Sequence, residues 1–377
     1  IVRTYERLAD IAFLGNNAAL TFNATLRALN LAERMGPTPE LARGYANMCV
    51  AAGLIPRRDL AQNYRHKALQ TIEQVKDMPT LGHVLMAISR CAAGSGYWDK
   101  AEETLSNVIE LFEHGGDWSR KGVGMDVLAR AAFHRGEFAR SAGLAAQIHT
   151  DALRRGDAVQ QAWGLLGQVE TLLPLGEVEE AIAIAGEAVT LLAESADINS
   201  KIRAYGLLAT AHLRHNRPDL ALQFAGQTAA LMDRARPTSS SAFAGYAGVA
   251  DVYLTLWETG AVDRPNRLPR QARQACKTLG KFARVFPIGA PRDSLYRGRY
   301  RWLLKRSTLA HRAWSQSLAR AQKLAMPYEQ GLAHYQIGRH KPFDDPARTE
   351  HLTRARQIFA RLTAANDLLL VQRELNL

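Results

Sequence analysis

The chain has 377 residues, of which 47% are hydrophobic, 22% charged and only 7% aromatic. This excludes a disordered or fibrous chain, and the length passes the roughly 250–300 residues at which single cores stop growing, so two domains or an extended repeat array are expected. The net charge is +12, the mean hydropathy is −0.20, and no apolar run reaches the ~18 residues that span a bilayer, so no membrane partner is expected.

Cys49, Cys91 and Cys276 are widely separated and never form a CxxC pair, which points to a reducing cytoplasm rather than a disulfide framework or zinc ribbon. The chain opens Ile-Val-Arg, with neither an initiator Met nor a signal-peptide pattern, and reads as an internal piece of a longer protein.

Turn-forming residues recur every 40 positions: Asn16, Pro56, Gly96, Gly136, Gly176 and Asn216. Five residues after each stand Thr21, Ala61, Ala101, Ser141, Ala181 and Ala221. Seven further on are Ala28, Ala68, Val108, Ile148, Ala188 and Thr228, and seven before each turn are Ala9, Cys49, Ser89, Ala129, Val169 and Ala209. Six copies agreeing in four columns define an internal repeat of two helices around a turn, with small residues where the helices approach and larger ones (Tyr5, Tyr45, Leu85, Met125, Leu165, Tyr205) in the next layer. One such pair cannot bury its apolar face alone, but a stack can.

The column chemistry is tetratricopeptide-like, although that motif usually repeats every ~34 residues and HEAT or armadillo motifs every ~40–47. The predicted fold is all-α, a right-handed superhelical solenoid of about nine tetratricopeptide-like helix pairs. Residues 1–259 form the regular repeats, 260–269 (GAVDRPNRLP) an inserted loop, and 270–377 irregular basic repeats with a C-terminal capping helix.

Residues 30–56 (NLAERMGPTPELARGYANMCVAAGLIP), 97–105 (YWDKAEETL), 282–292 (FARVFPIGAPR) and 326–340 (MPYEQGLAHYQIGRH) resemble the C-terminal helical-repeat region of bacterial multidomain adenylate/guanylate cyclases. Those proteins carry a class III cyclase domain and an AAA-like ATPase module before such repeats. The resemblance implies a regulatory segment whose partners include its own upstream ATPase and cyclase domains. Related repeats occur on ATPase-type transcription regulators.

No GxxxxGK loop, HExxH or GxSxG motif is present, so no catalytic residue, metal site or cofactor is assigned to this segment. His212 and His215 share a helix face but have no third ligand before Asp219. Asp344 and Asp345 suit a helix N-cap ahead of Pro346, and Cys276, near Arg273, Lys277 and Lys281, suits core packing.

Two columns project toward the concave groove of such a solenoid: Arg3, Arg43, His83, Val123, Trp163, Arg203, and Asp10, Val50, Arg90, Arg130, Glu170, Thr210. With Met86, Asp126, Phe133 and Leu166 between them, they suit a protein or peptide carrying acidic groups and an apolar anchor. Arg43, His83, Met86, Arg90, Asp126, Arg130, Phe133, Trp163 and Arg203 are the candidate contacts; internal ion pairing, such as Asp126 with Arg130, is the competing reading.

Residues 264–323 hold sixteen Lys and Arg against the single acid Asp293. Arg270, Arg273, Lys277, Lys281 and Arg284 follow one helical stripe, and Arg297, Arg301 and Lys305 extend it into a docking belt for an acidic surface. Nucleic acid is the alternative partner, with Tyr296, Tyr300 and Trp302 nearby, although no base-reading motif is visible.

Overall fold

The computed structural model of the chain describes residues 1–55, 58–264 and 266–376. These residues form nineteen α-helices and no strand. Nine antiparallel pairs follow one another: α1 (Val2–Leu14) with α2 (Ala18–Ala32), α3 (Pro39–Gly53) with α4 (Arg58–Val75), α5 (Met78–Ser95) with α6 (Trp98–His114), and α7 (Trp118–His134) with α8 (Phe138–Arg155). Next come α9 (Ala158–Leu175) with α10 (Val178–Leu191), α11 (Ile198–Arg214) with α12 (Pro218–Arg234), and α13 (Phe243–Thr259) with α14 (Leu268–Val285). The stack ends with α15 (Ala290–Leu303) and α16 (Ser307–Lys323), α17 (Pro327–Arg339) and α18 (Pro346–Arg361), then α19 (Ala365–Leu375).

The surplus over the ~34 residues of an ordinary tetratricopeptide unit sits in the helices. Helices α7 and α8 are 17 and 18 residues long, and only residues 135–137 separate them.

The turns show why the repeat is legible. Asn16, Gly96, Gly136, Gly176 and Asn216 all have positive φ, between 55° and 92°. At each, the next residue's N–H bonds back five residues, as Glu137 N–H does to Ala132 O at 2.9 Å and Tyr97 N–H to Ala92 O at 3.0 Å. That left-handed stop satisfies carbonyls at the helix end and suits Gly and Asn. Gly116 and Gly156 repeat the conformation at the returns between pairs, whereas Gly36 combines its positive φ with a ψ of −165°. Pro56, the remaining predicted turn, lies outside the described residues.

The second helix of each pair buries one stripe and exposes the rest. In α8 the buried residues are Phe138, Ser141, Ala145, Ile148 and Ala152, at spacings of three and four. All six residues seven before the turns are buried, from Ala9 to Ala209, whereas Thr21 and Ala61 in the first two repeats remain partly exposed.

The coil is wound tightly enough for late repeats to meet early ones. Trp98 Nε1 donates to Leu324 O at 2.6 Å, Arg214 to Tyr328 Oη at 3.1 Å, and Asn16 Nδ2 to Thr238 Oγ1 at 2.9 Å. A Cβ on Gly136 would strike Pro327 at 2.9 Å. Residues 235–242, between α12 and α13, run through the interior, where Ser240 Oγ accepts from Arg130 at 3.0 Å. Residues 260–267 connect α13 to α14, with Leu268 and Pro269 opening α14.

Candidate functional site

Most of the predicted groove residues are engaged with partners inside the fold. Equivalent first helices stand side by side one repeat apart, so a residue reaches another about 37 positions away. Arg43 bonds Glu6 at 3.2 Å and Thr80 at 3.3 Å, each 37 residues distant, and Glu40 at 3.3 Å. Trp163 Nε1 donates to Ser200 Oγ at 2.8 Å by the same step. His83 Nε2 pairs with Asn47 Oδ1 at 2.9 Å; the amide oxygen only accepts, so this ring nitrogen carries the proton.

Arg203, 1% exposed, bonds Glu170 at 2.8 Å and Asp126 at 3.4 Å, and Arg130 takes the other Asp126 oxygen at 3.0 Å. Phe133 stacks on Phe138 with ring centroids 5.2 Å apart, and Met86 is packed in the core with Leu105 and Val127. The expectation of an open peptide groove is therefore corrected for Arg203, Asp126, Met86 and Trp163. Their partners are internal, because leaving desolvated charges unpaired would cost several kcal/mol each.

Arg90, and Arg130 on its far side from Asp126, wall a cavity of about 570 Å³. It lies between α3–α7 and the returning chain at 238–240, 285–290 and 320–324. Its cations are Arg65, Arg90, Lys100, Arg130, Arg320 and Lys323, and no Asp or Glu is among the described lining residues. Arg90 lies over the Phe13 ring at 5.4 Å, and Arg65 Nε is buried without a hydrogen-bond partner. Burial is the chief reason that the Arg90 guanidinium falls below its usual affinity for protons, and Arg130 adds to it.

Cys49 and Cys91 share the wall. The Cys49 thiol, then the Arg90 and Arg65 cations, hold Cys91 below the usual thiol range. A smaller cavity of about 90 Å³ adjoins it through Arg130 and Ser240 and includes Phe133 and His134.

The outer face carries the basic stripe. Arg270, Arg273, Lys277, Lys281 and Arg284 are all exposed on α14, opposite buried Leu268, Ala272, Cys276 and Leu279. The helix contains no acidic residue. Lys305 is exposed in the next turn, Arg297 pairs with Asp293 at 2.8 Å, and Arg301 donates to Leu309 O at 3.2 Å. Two cations of the same stretch turn inward: Arg299 to Glu258 at 2.8 Å, and Arg292 to Glu329.

The aromatics named with the belt pack against the core, Tyr296 fully and Tyr300 and Trp302 in part. Tyr296 is buried, Tyr300 lies 5.8 Å from Trp257, and Trp302 lies 4.3 Å from His340.

Cys276 is buried, which pushes its thiol up to about 12. Asp345 caps α18 by accepting from Ala347 N–H at 2.9 Å. His212 stacks on Phe224 at 5.3 Å, and no group of three His, Cys, Asp or Glu able to hold a metal occurs among the described residues. No described helix is long and apolar enough to cross a membrane.

Sequence reasoning missed Arg65, Lys100, Arg320, Lys323 and the Thr238–Ser240 wall. The one available signal was the serine run PTSSS at 237–241, where the 40-residue register lapses.

No protein-family model matches this chain, and no curated protein does. Solved structures match its fold. The chain is similar to a Rap protein complexed with competence and sporulation factor, with 11% identity and a TM-score of 0.63, over 96% of this chain and 98% of that one. It is also similar to human IFIT1, solved as a dimer with m7Gppp-AAAA, with 16% identity and a TM-score of 0.55, over 100% and 82%. The apo form of RapI gives 10% identity and a TM-score of 0.53 over 74% and 98%. The chain is thus a tetratricopeptide-like helical-repeat region.

Proposed function

We propose that this chain is the non-catalytic regulatory and protein-interaction region of a larger signalling protein. The observation that carries the reading is the exposed face of α14, five cations at helical spacing with no acid on the helix. Like charges so placed repel one another, and an acidic protein surface relieves them. By the resemblance of its repeats, the parent is a nucleotide cyclase with an ATPase module, cytoplasmic, and the acidic surface belongs to those upstream domains.

The alternative parent is an ATPase-type transcription regulator, with nucleic acid on the same face. Against it, Tyr296, Tyr300 and Trp302 are engaged within the fold and offer no stacking platform for bases. The Rap and IFIT1 structures, solved with a factor and with capped RNA, illustrate ligand binding by proteins of similar fold.

The test is titration of the chain with a polyglutamate peptide and with random duplex and single-stranded DNA, at low and at physiological salt. Polyglutamate binding should be lost on reversing Arg273, Lys277, Lys281 and Arg284 to Glu, and DNA binding should vanish at physiological salt. Tight DNA binding that survives physiological salt, and is lost in the reversed variant, would overturn the reading.

A further inference from the structure

The interior pairs its arginines nearly everywhere. Arg203 has Glu170 and Asp126, Arg299 has Asp251 and Glu258, Arg292 has Glu329, and Arg348 has Glu374 at 2.9 Å. The 570 Å³ cavity has six cations and no carboxylate among its described lining residues, although Arg130 pairs with Asp126 at 3.0 Å and Arg320 reaches Asp293 at 3.9 Å from its edge. Arg90 lies over an aromatic ring, with Asp10 and Asp126 acting on it through their charge, and Arg65 Nε is buried and unbonded. Arg65 and Arg90, half-buried in this wall beside four further cations, have no carboxylate in the described lining to compensate their burial.

We propose that this cavity binds a small organic molecule bearing two or more phosphoryl groups, whose occupancy fastens the early repeats to the returning late ones. The inference goes beyond the outer-face reading and does not depend on it. Four of the six cations are guanidiniums, whose planar forks match phosphate oxygens two at a time. A single carboxylate would balance one charge of six, whereas a diphosphate carries about three negative charges near neutrality.

Ser240 contributes a donor. Its Oγ already accepts from Arg130 at 3.0 Å, which leaves its own proton for a phosphate oxygen.

The remaining wall is apolar, through Val50, Leu54, Ile88, Val285 and Phe286. It suits an organic body rather than a bare ion, and the volume falls in the ~300–1,000 Å³ range of small-molecule sites. An extended chain is disfavoured because Phe286 seats against Gly94, where an added Cβ would meet its ring at 3.0 Å, and Trp98 is tied to Leu324. These contacts cross the path a threaded peptide would take. Arg65, Arg90, Lys100 and Arg130 come from α4–α7, and Arg320 and Lys323 from α16, so one bridging anion holds both sides.

Calorimetry and thermal melting of the whole chain with ADP, pyrophosphate, citrate and tetraglutamate test the assignment. ADP and pyrophosphate should bind and raise the melting temperature. Arg90→Ala and Arg65→Ala should weaken binding about tenfold each, the loss expected for a charge-assisted contact. Lys323→Ala, at an exposed position that the fold does not need, should weaken it by a smaller factor, and Arg273→Glu with Lys277→Glu on the outer face should leave it unchanged. ADP should also slow alkylation of Cys91 by iodoacetamide without altering Cys276, which lies in the α14 core.

Absence of phosphate binding at millimolar concentration and low salt would overturn the proposal. So would binding that responds only to the outer-face variant, or tighter binding of citrate or tetraglutamate than of ADP. Failure of the outer-face reading would appear in the polyglutamate titration and leave these measurements untouched.

Discussion

The indole N–H of Trp98 donates to the carbonyl oxygen of Leu324 at 2.6 Å, across 226 residues of chain. It joins the start of α6 to the turn after α16 and converts a row of stacked pairs into a coil that touches itself. Gly96, two residues earlier with φ of +80°, lies under the Leu324 side chain. Trp98→Phe should keep most of the packing but leave the Leu324 carbonyl without this donor. The expected cost is about 1 kcal/mol in urea unfolding, with faster hydrogen exchange in the turn after α16. Unchanged exchange there would show that the closure does not rely on this bond.

Arg203 is the buried hub of the interior ion network. Arg203→Ala would strand buried Glu170 and leave Asp126 with Arg130 alone, and should cost about 3–5 kcal/mol. The reverse choice, Arg3→Ala at the exposed end of the same column, should cost less than about 1 kcal/mol, because solvent screens its pair with Glu40. Chemical denaturation of the two variants should separate them clearly.

Stability should fall as the solution is acidified from neutral. Burial, with Arg130, Arg292 and Arg203 nearby, pulls His134 down to about 3, and burial, with Arg120, Arg43 and Arg90, pulls His83 down to about 4. The folded chain therefore binds fewer protons than the unfolded chain, whose histidines titrate near 6.5. The stabilisation is complete above that value and is lost as pH falls toward the folded values, at about 1.4 kcal/mol per pH unit for each histidine. Unfolding measured from pH 7 to pH 4 should show this slope, and His134→Phe should reduce it by about one proton's worth.

Three glycines separate packing from propensity. Gly245 sits where α13 crosses α11, and a Cβ there would collide with the backbone oxygen of Ile202. Gly245→Ala should cost about 2 kcal/mol or more through backbone displacement. Gly186 and Gly226, in α10 and α12, have nothing within 4 Å of an added Cβ. Their alanine variants should each gain about 0.5–1 kcal/mol. Thermal melting of all three reads both signs.

The left-handed turn at Thr363, with φ of 54°, is held by a β-branched residue. Thr363→Gly should gain about 1 kcal/mol by removing the strain. A loss in the same melting experiment would mean that the Thr363 hydroxyl, bonded to Leu362 O at 2.6 Å, matters more than the strain.

The repeat was readable because its signals are local. Gly96, Gly136, Gly176, Asn16 and Asn216 announce the left-handed stop by their own chemistry, and the small-residue columns mark where neighbouring helices touch. The stripe on α14 is legible for the same reason, since spacings of three and four place side chains on one face. Past residue 221 the announcements thin out, with Gly260 ending α13 in the left-handed conformation. Lys305, Ala325 and Thr363 adopt the same left-handed turn without a residue type that favours it, because packing on both sides imposes the conformation.

By itself the sequence determined the helix pairs, their turns and the outward cationic face, all of which depend on residues within one repeat of each other. Only the tertiary structure decided which cations are spent. Arg203 and Arg90 occupy similar groove columns, yet one bonds carboxylates 33 and 77 residues away and the other lies over the Phe13 ring in the cavity wall. That difference depends on the curvature of the whole coil, which sets which distant groups come within the few ångströms where charges decide the outcome.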